Sequence, residues 1–403
     1  MNPDFSLSSF NTLPSDGVAG TLLGRAWVPA SGALPAGPAV VVVRADGVFD
    51  ISDAAPTISS LVDMHDPVGV VRATAGRWIG SLDALLANTA CAGRNPAVAH
   101  LLAPCDLQVI KAAGVTFAAS LIERVIEERA KGDPQGAVQV REQVNALVGD
   151  SLASIRPGSA ESRELKALLV KQGLWSQYLE VGIGPDAEIF TKAPLLAALG
   201  TGTEIGVHPK SVWNNPEPEI VLSVDSRGRV LGAMLGNDVN LRDVEGRSAL
   251  LLGKAKDNNG SCAIGPFLRL FDETFSMDDV RRATVHLRVE GGPDAFVLDG
   301  TSSMDQITRD PLDLVEQAIG PCHQYPDGLV LFLGTLFAPV ADRDAPGEGF
   351  THKAGDQVRI SSAMLGTLAN QVGSSDAIAP WTFGVRALMA NLAARGLLGH
   401  RDL

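Results

Sequence analysis

The stretch EPEIVLSVDSRGRVLGAMLGND, residues 217–238, decides most of what this sequence says about its fold. Glu219–Asp225 and Arg229–Gly236 read as two strands, and Asp225-Ser226-Arg227-Gly228 between them is a turn signal. A turn centred near Ser226-Arg227 pairs residues whose numbers sum to about 453–455, which sets position 217 opposite positions 236–238. Side chains alternate along a strand, so Glu217 and Glu219 share a face. The hairpin therefore predicts that Glu217, Glu219 and Asp238 meet at the open end of the ribbon. Pro218 cannot donate to a ladder, which suits a strand entry or an edge. Glu-x-Glu by itself also describes a solvated strand face. Three convergent carboxylates are different, because they repel one another unless water or a cation screens them. Oxygen donors without His or Cys suit a hard divalent ion, Mg²⁺ or Mn²⁺ or Ca²⁺, and argue against zinc.

Working outward, the chain reads as α+β with a β-dominated C-terminal half. Near the start, Thr21–Trp27, Ala39–Arg44 and Val48–Ile51 are short strands, and Asp46-Gly47 is a hairpin signal. Helical patterns lie around Ser59–Met64 and Ser81–Ala87. These pieces are expected to form a small β-rich N-terminal domain over residues 1–103, with a catalytic domain over 104–403. Leu121–Arg129 has a helical pattern, with Leu121, Val125 and Ile126 apolar and Glu123 and Arg124 polar. Helices are also expected over Val138–Ser154, from an N-cap at Ser159 through Val170, and over Thr382–Arg395. Thr284–Glu290 alternates apolar and polar residues, the mark of a half-buried strand. Leu329–Leu333 is continuously apolar, and Gly355-Asp356 opens a strand over Gln357–Ser361.

Composition excludes several function classes. In 403 residues, 33 basic against 46 acidic side chains give a formal net charge of −13, a surface that repels phosphate backbones. No nucleic-acid partner is therefore expected. No apolar run reaches the roughly 18 residues of a membrane helix, and no basic cluster precedes an apolar run near Met1, so a cytoplasmic address away from membranes is expected. Cys91, Cys105, Cys262 and Cys322 lie far apart and read as free thiols.

Two further groups bear on chemistry. Lys254 and Lys256 follow Asp238 ahead of the loop Asp257–Gly265, and a lysine enclosed near a metal can act as acid or base; a surface lysine is the plainer reading. Gly334-Thr335 closes the apolar run at Leu333, where a hydroxyl and backbone N–H groups can anchor a carboxylate, though a simple turn reads equally well. Arg242 and Asp243 read as a structural ion pair, and His208 as a structural histidine.

From about Asp106 onward these pieces resemble the fumarylacetoacetate hydrolase family. The matching blocks are Glu217-Pro218-Glu219, Gly236-Asn237-Asp238 through Asp243, Lys254-Ala255-Lys256-Asp257 to Gly265-Pro266, Leu333-Gly334-Thr335, Gly355-Asp356 and Gly366 to Asn370. The resemblance implies a mixed β-roll with surrounding helices and a divalent metal, commonly Mg²⁺, on Glu217, Glu219 and Asp238. It further implies an active-site lysine at Lys254, substrate contacts at Gly334 and Thr335, and a pocket wall at Phe190 and Lys192. A homodimer or homotetramer is the implied assembly. One departure is informative. Ser120 stands where the family's hydrolases carry a histidine, while the partner glutamate survives as Glu123. A serine does not activate water by itself, which speaks against C–C bond hydrolysis and leaves Ser120 as a pocket residue.

The block Trp213 to Glu219 and the missing histidine are similar to a branch of the family, the 2-keto-3-deoxy-pentonate dehydratases of pentose catabolism. The implied reaction is loss of water from a 2-keto-3-deoxy-pentonate to give 2,5-dioxopentanoate (2-oxoglutarate semialdehyde). A cation chelated by the 2-oxo acid would stabilise the enolate, and Lys254 and Glu123 would share the proton transfers in either order. The alternatives are hydrolysis of acylpyruvates or diketo acids, aldol or hydration chemistry on 2-oxo acids, or an inactive oxo-acid-binding protein.

Overall fold

Residues 217–238 form the hairpin that the turn signal predicts. In the computed structural model, Pro218–Val224 and Val230–Asp238 pair antiparallel, with Pro218 opposite Asn237 and Glu219 opposite Gly236, the expected sum of 455. The Asp225 carboxylate fixes the turn by accepting from the Arg227 and Arg229 backbone N–H groups at 2.9 and 2.8 Å, and Gly228 supplies the positive φ of 81°. The structure describes residues 5–90, 93–131, 155–171, 175–292, 294–337, 339, 341–346 and 348–398. The helix expected over Val138–Ser154 lies outside them.

Every residue of Pro218–Val224 is buried, because the hairpin is covered on both faces. Among the described residues it lies inside an 11-stranded sheet. On one side of the hairpin come Cys262–Leu270, Leu22–Val28, Gly37–Arg44, Gly47–Asp50 and Arg77–Gly80 in that order. On the other come Leu329–Phe332, Val109–Gly114 and Glu188–Ala193, with His100–Leu102 attached to Leu22–Val28. Ile220, Leu222, Val224 and Leu235 pack toward a second, five-stranded sheet, whose inner face supplies Val285, Leu287, Val289, Val358, Ile360 and Leu368. Val221 and Met234 point the other way, onto Val40, Val42, Ile58 and Leu61. Truncating a side chain such as Leu222 in this double core would cost roughly 2–5 kcal/mol.

Burial across Thr284–Glu290 alternates as expected, since this strand lies in the five-stranded sheet with one face to solvent. The N-terminal strands and helices Ile58–Val62 and Leu82–Thr89 form close to their predicted positions. Leu22–Val28 pairs with Cys262–Leu270, so the large sheet runs without a break from the N-terminal segment into the catalytic half. The fold is thus mixed α+β, built on large sheets with helices around them. Among the described residues, no helix is long and apolar enough to cross a membrane.

Candidate active site

The open end of the hairpin brings Glu217, Glu219 and Asp238 together. One carboxylate oxygen from each lies within 4.8 Å of the others, and all three side chains are buried. Cationic groups crowd round them. Lys256 Nζ donates to Glu217 Oε2 at 2.5 Å and Asp238 Oδ2 at 2.8 Å. Lys192 Nζ reaches Asp238 Oδ1 at 2.7 Å. Arg124 bonds Glu217 Oε1 and, at 2.9 Å, Glu245 Oε2. Glu219 receives the Gly334 backbone N–H at 2.7 Å. Gly334 has φ +86°, and a Cβ there would lie 2.1 Å from Thr116 Oγ1, so only glycine can present that N–H.

The charges are not evenly matched. Burial, then the fields of Asp238 and Glu217, push Glu219 well above the ordinary carboxylate range. Burial would raise Asp238 as well, but Lys192 and Lys256 overcome it and hold that carboxylate low. Burial acts against the Lys256 ammonium, yet Asp238, Glu217 and Glu245 outweigh it and raise its pKa. Glu188, next to this cluster, is pushed up to about 7 by burial and then by Glu245. These residues fit a hard divalent ion on their donor chemistry: three buried carboxylates, oxygen donors throughout, with the Lys256 ammonium standing between two of them where positive charge is required.

Of the three carboxylates, Glu217 borders a narrow cleft of about 240 Å³ of empty space, part of it open to solvent. Its walls include Ser120, Glu123 and Arg124 on one side and Asn215, Glu217 and Thr335 on the other, with Arg242 and Phe337. The helix Ala118–Arg129 delivers the first three. Its Leu121, Val125 and Ile126 pack on Tyr178, Leu179 and Ile183, which turns the stripe at positions 120, 123 and 124 toward the cleft. Arg242 Nη2 lies 3.4 Å from Glu123 Oε2, and the guanidinium stacks over Trp213 at 4.3 Å. A broader depression crosses the outer face of the five-stranded sheet, where exposed Arg288 and Asp299 pair with each other.

Not every sequence-based expectation survives. Lys254 is exposed, and Lys256 takes the place foreseen for it. Two residues on the short helix Leu252–Lys256 point about 200° apart, so one lysine faces the carboxylates and the other faces water. Lys192 is fully buried and gives its three donors to Asp238, Val239 O and Lys256 O, which makes it a strut of the site and leaves none for substrate. Likewise Gly334 N–H holds Glu219. Thr335 and Ser120 line the cleft; Ser120 Oγ donates to Phe117 O at 2.9 Å. Phe190 lies under Lys256, 5.8 Å from Nζ. Arg242 and Asp243 do not pair: Asp243 accepts from Ser211 Oγ and Val212 N, while Arg242 turns into the cleft. His208 Nδ1 caps a local turn at Lys210 N. The sequence names both Lys254 and Lys256, the resemblance selects Lys254, and neither singles out Arg124, Glu188 or Asn215. Arg124 had a usable signal, since it shares a helix stripe with Ser120 and Glu123.

Residues 198–373 match the family model described as fumarylacetoacetate (FAA) hydrolase C-terminal. The chain is 31% identical over 188 residues to a 2-dehydro-3-deoxy-D-arabinonate dehydratase of Saccharolobus solfataricus, a match that covers 46% of this chain and 58% of that relative's length. It is 24% identical over 331 residues to a Haloferax volcanii protein named "Probable 2-keto-3-deoxyxylonate dehydratase", covering 82% and 93% of the two chains. The fold also resembles a solved 2-keto-3-deoxy-D-arabinonate dehydratase complexed with magnesium and 2,5-dioxopentanoate, with a TM-score of 0.55 and 19% identity, over 88% of this chain and 99% of that one.

Proposed function

We propose, from the match of residues 198–373 to the fumarylacetoacetate hydrolase family model and the likeness to the two dehydratases, that this chain is a hydro-lyase that removes water from a 2-keto-3-deoxy-pentonate to give 2,5-dioxopentanoate. The observation that carries this reading is a cluster of three buried carboxylates and one buried lysine whose Glu217 borders the same cleft as the arginine-held Glu123. Glu217, Glu219 and Asp238 would hold the divalent ion, Mg²⁺ by preference. Once bound, it would supply positive charge to the ketone and carboxylate oxygens of a 2-oxo acid, acidifying the neighbouring C–H.

The chain's own groups provide the rest. Lys256, fixed by Glu217 and Asp238, and Glu123, held by Arg242, divide the two proton transfers between them: removal of the C3 proton and protonation of the departing C4 hydroxyl. Tautomerisation then leaves the aldehyde at C5. Arg124 and Thr335 face the same cleft and suit a substrate carboxylate by charge and by hydroxyl donation. Ser120 occupies the place of a water-activating histidine, which favours loss of water over hydrolysis. A homodimer or homotetramer is the assembly to look for.

The test is to incubate the purified protein with Mg²⁺ and either 2-keto-3-deoxy-D-xylonate or its L-arabinonate-derived counterpart, and to assay for 2,5-dioxopentanoate. Metal-dependent aldehyde from one of them supports the reading. Absence of aldehyde from both, with cleavage of an acylpyruvate instead, overturns it in favour of a hydrolase.

A further inference from the structure

Asn215 and Asn240 face each other across the two-stranded ribbon that continues the site hairpin, Asn214–Asn215 with Asn240–Leu241. Directly opposed residues of an antiparallel pair project from the same side, and on that side Asn215 lines the cleft together with Glu217. Both side chains are almost wholly shielded from solvent, Asn215 at 2% exposure and Asn240 at 0%. Among the described residues, the Asn215 carbonyl oxygen and both polar atoms of the Asn240 amide have no hydrogen-bond partner.

The next residue in the same ribbon is different. Asn214 Oδ1 accepts His352 N at 3.0 Å, and its Nδ2 reaches Ser211 Oγ at 3.3 Å. So the ribbon can satisfy a buried amide, and it does so one residue away from the cleft wall. Burying an amide without partners opposes folding. Asn215 borders the cleft and Asn240 stands opposite it in the ribbon, off the cleft wall, so together they leave a donor and two acceptors without partners that a small polyhydroxy ligand would fill. Their position says which part of it. Asn215 precedes Glu217 by two residues, and Asn240 follows Asp238 by two. That is roughly 6–7 Å along an extended chain from the carboxylates, about the distance from the keto end of a five-carbon acid to its far end.

We propose that the Asn215 and Asn240 side-chain amides bind the terminal hydroxyl of the substrate and so select hydroxylated 2-oxo acids over bare ones. This rests on the oxo-acid reading of the site, and the test separates the two. Calorimetry on the Mg²⁺-loaded full chain would compare 5-hydroxy-2-oxopentanoate, which lacks the C4 leaving group and cannot be dehydrated, with 2-oxopentanoate. The wild-type protein is expected to bind the hydroxy acid about tenfold more tightly. Asn240→Leu and Asn215→Ala should each lower that preference to below about twofold while leaving 2-oxopentanoate affinity unchanged. Melting of the metal-free protein gives a second readout, independent of ligand. Asn240→Leu replaces an unpartnered amide by an apolar group of similar size, so its melting temperature should hold or rise. Equal affinity of the wild-type protein for the two acids, or a preference that survives in both variants, overturns the asparagine assignment while leaving the oxo-acid site standing. A sharp fall in melting temperature for Asn240→Leu also overturns it, since the amide would then have a structural role. If neither acid binds, the oxo-acid reading falls and takes this proposal with it.

Discussion

Two clusters of buried charge in this molecule are built in opposite ways. Around Asp356, Arg343 donates twice, at 2.6 and 2.7 Å, His352 Nδ1 lies 3.3 Å away and the Lys353 backbone N–H adds a bond at 2.9 Å. Burial pushes that carboxylate up, but its partners prevail and its pKa falls below the usual range. Around Glu219 the outcome reverses. Burial and two neighbouring carboxylates drive its pKa up, and they outweigh the opposing field of Lys256 and the Gly334 backbone N–H. The first cluster is balanced within the protein and needs nothing more. The second holds an anionic excess that a divalent ion would balance, which is how a buried charge kept for chemistry differs from one that pins a loop.

The contrast can be broken in several ways. The largest effect is expected from Glu217→Gln, which should lower metal-dependent turnover by roughly 10³-fold or more while leaving the circular dichroism spectrum intact; a variant that keeps wild-type rates after chelation would refute the metal assignment. Lys256→Met should cost on the order of 10²–10⁴ in kcat. Lys254→Met should stay within about twofold of wild type, and a reversal of this order would restore the sequence-based choice of lysine. In the balanced cluster, Asp356→Asn should destabilise the fold by about 3–5 kcal/mol in denaturant titrations, because it takes from the buried Arg343 guanidinium one of its two carboxylate partners and leaves only Asp294. Glu219→Gln in the metal-free protein should be far milder or even stabilising, since it relieves repulsion; equal losses would erase the distinction between the clusters.

The smallest effect is one of pH. Glu188 has a folded pKa of about 7 against an ordinary 4.5, so the stability associated with its protonated form is fully present below pH 4.5 and is lost as pH rises through 7. The melting temperature of the wild-type protein relative to Glu188→Gln should therefore decline between pH 5 and 8. A flat difference would show that this carboxyl ionises normally.

How much of this was legible in the sequence follows from how local each signal is. The hairpin was readable because a four-residue turn fixes its own register, and that register alone predicts that Glu217, Glu219 and Asp238 converge. Lys192 and Arg124 were harder, since they reach the carboxylates only through the sheet order and the docking of the helix Ala118–Arg129. Choosing between Lys254 and Lys256 required the phase of a five-residue helix, which no periodic pattern that short can set. The Asn215–Asn240 pairing lay in the same hairpin register, two residues further out, but an asparagine in a strand gives no sign of lacking partners until its surroundings are seen.

The adjacency of Leu22–Val28 and Cys262–Leu270 also bears on how the polypeptide emerges from the ribosome. Leu22 sits opposite Arg269, so the first strands cannot acquire this neighbour until most of the chain has been synthesised. Until then the Leu22–Leu23 end of that strand keeps an open edge, and closing so long a loop is entropically slow. Nascent chains stalled short of residue 262 should be markedly aggregation-prone and dependent on chaperones, whereas chains extending past residue 270 should not.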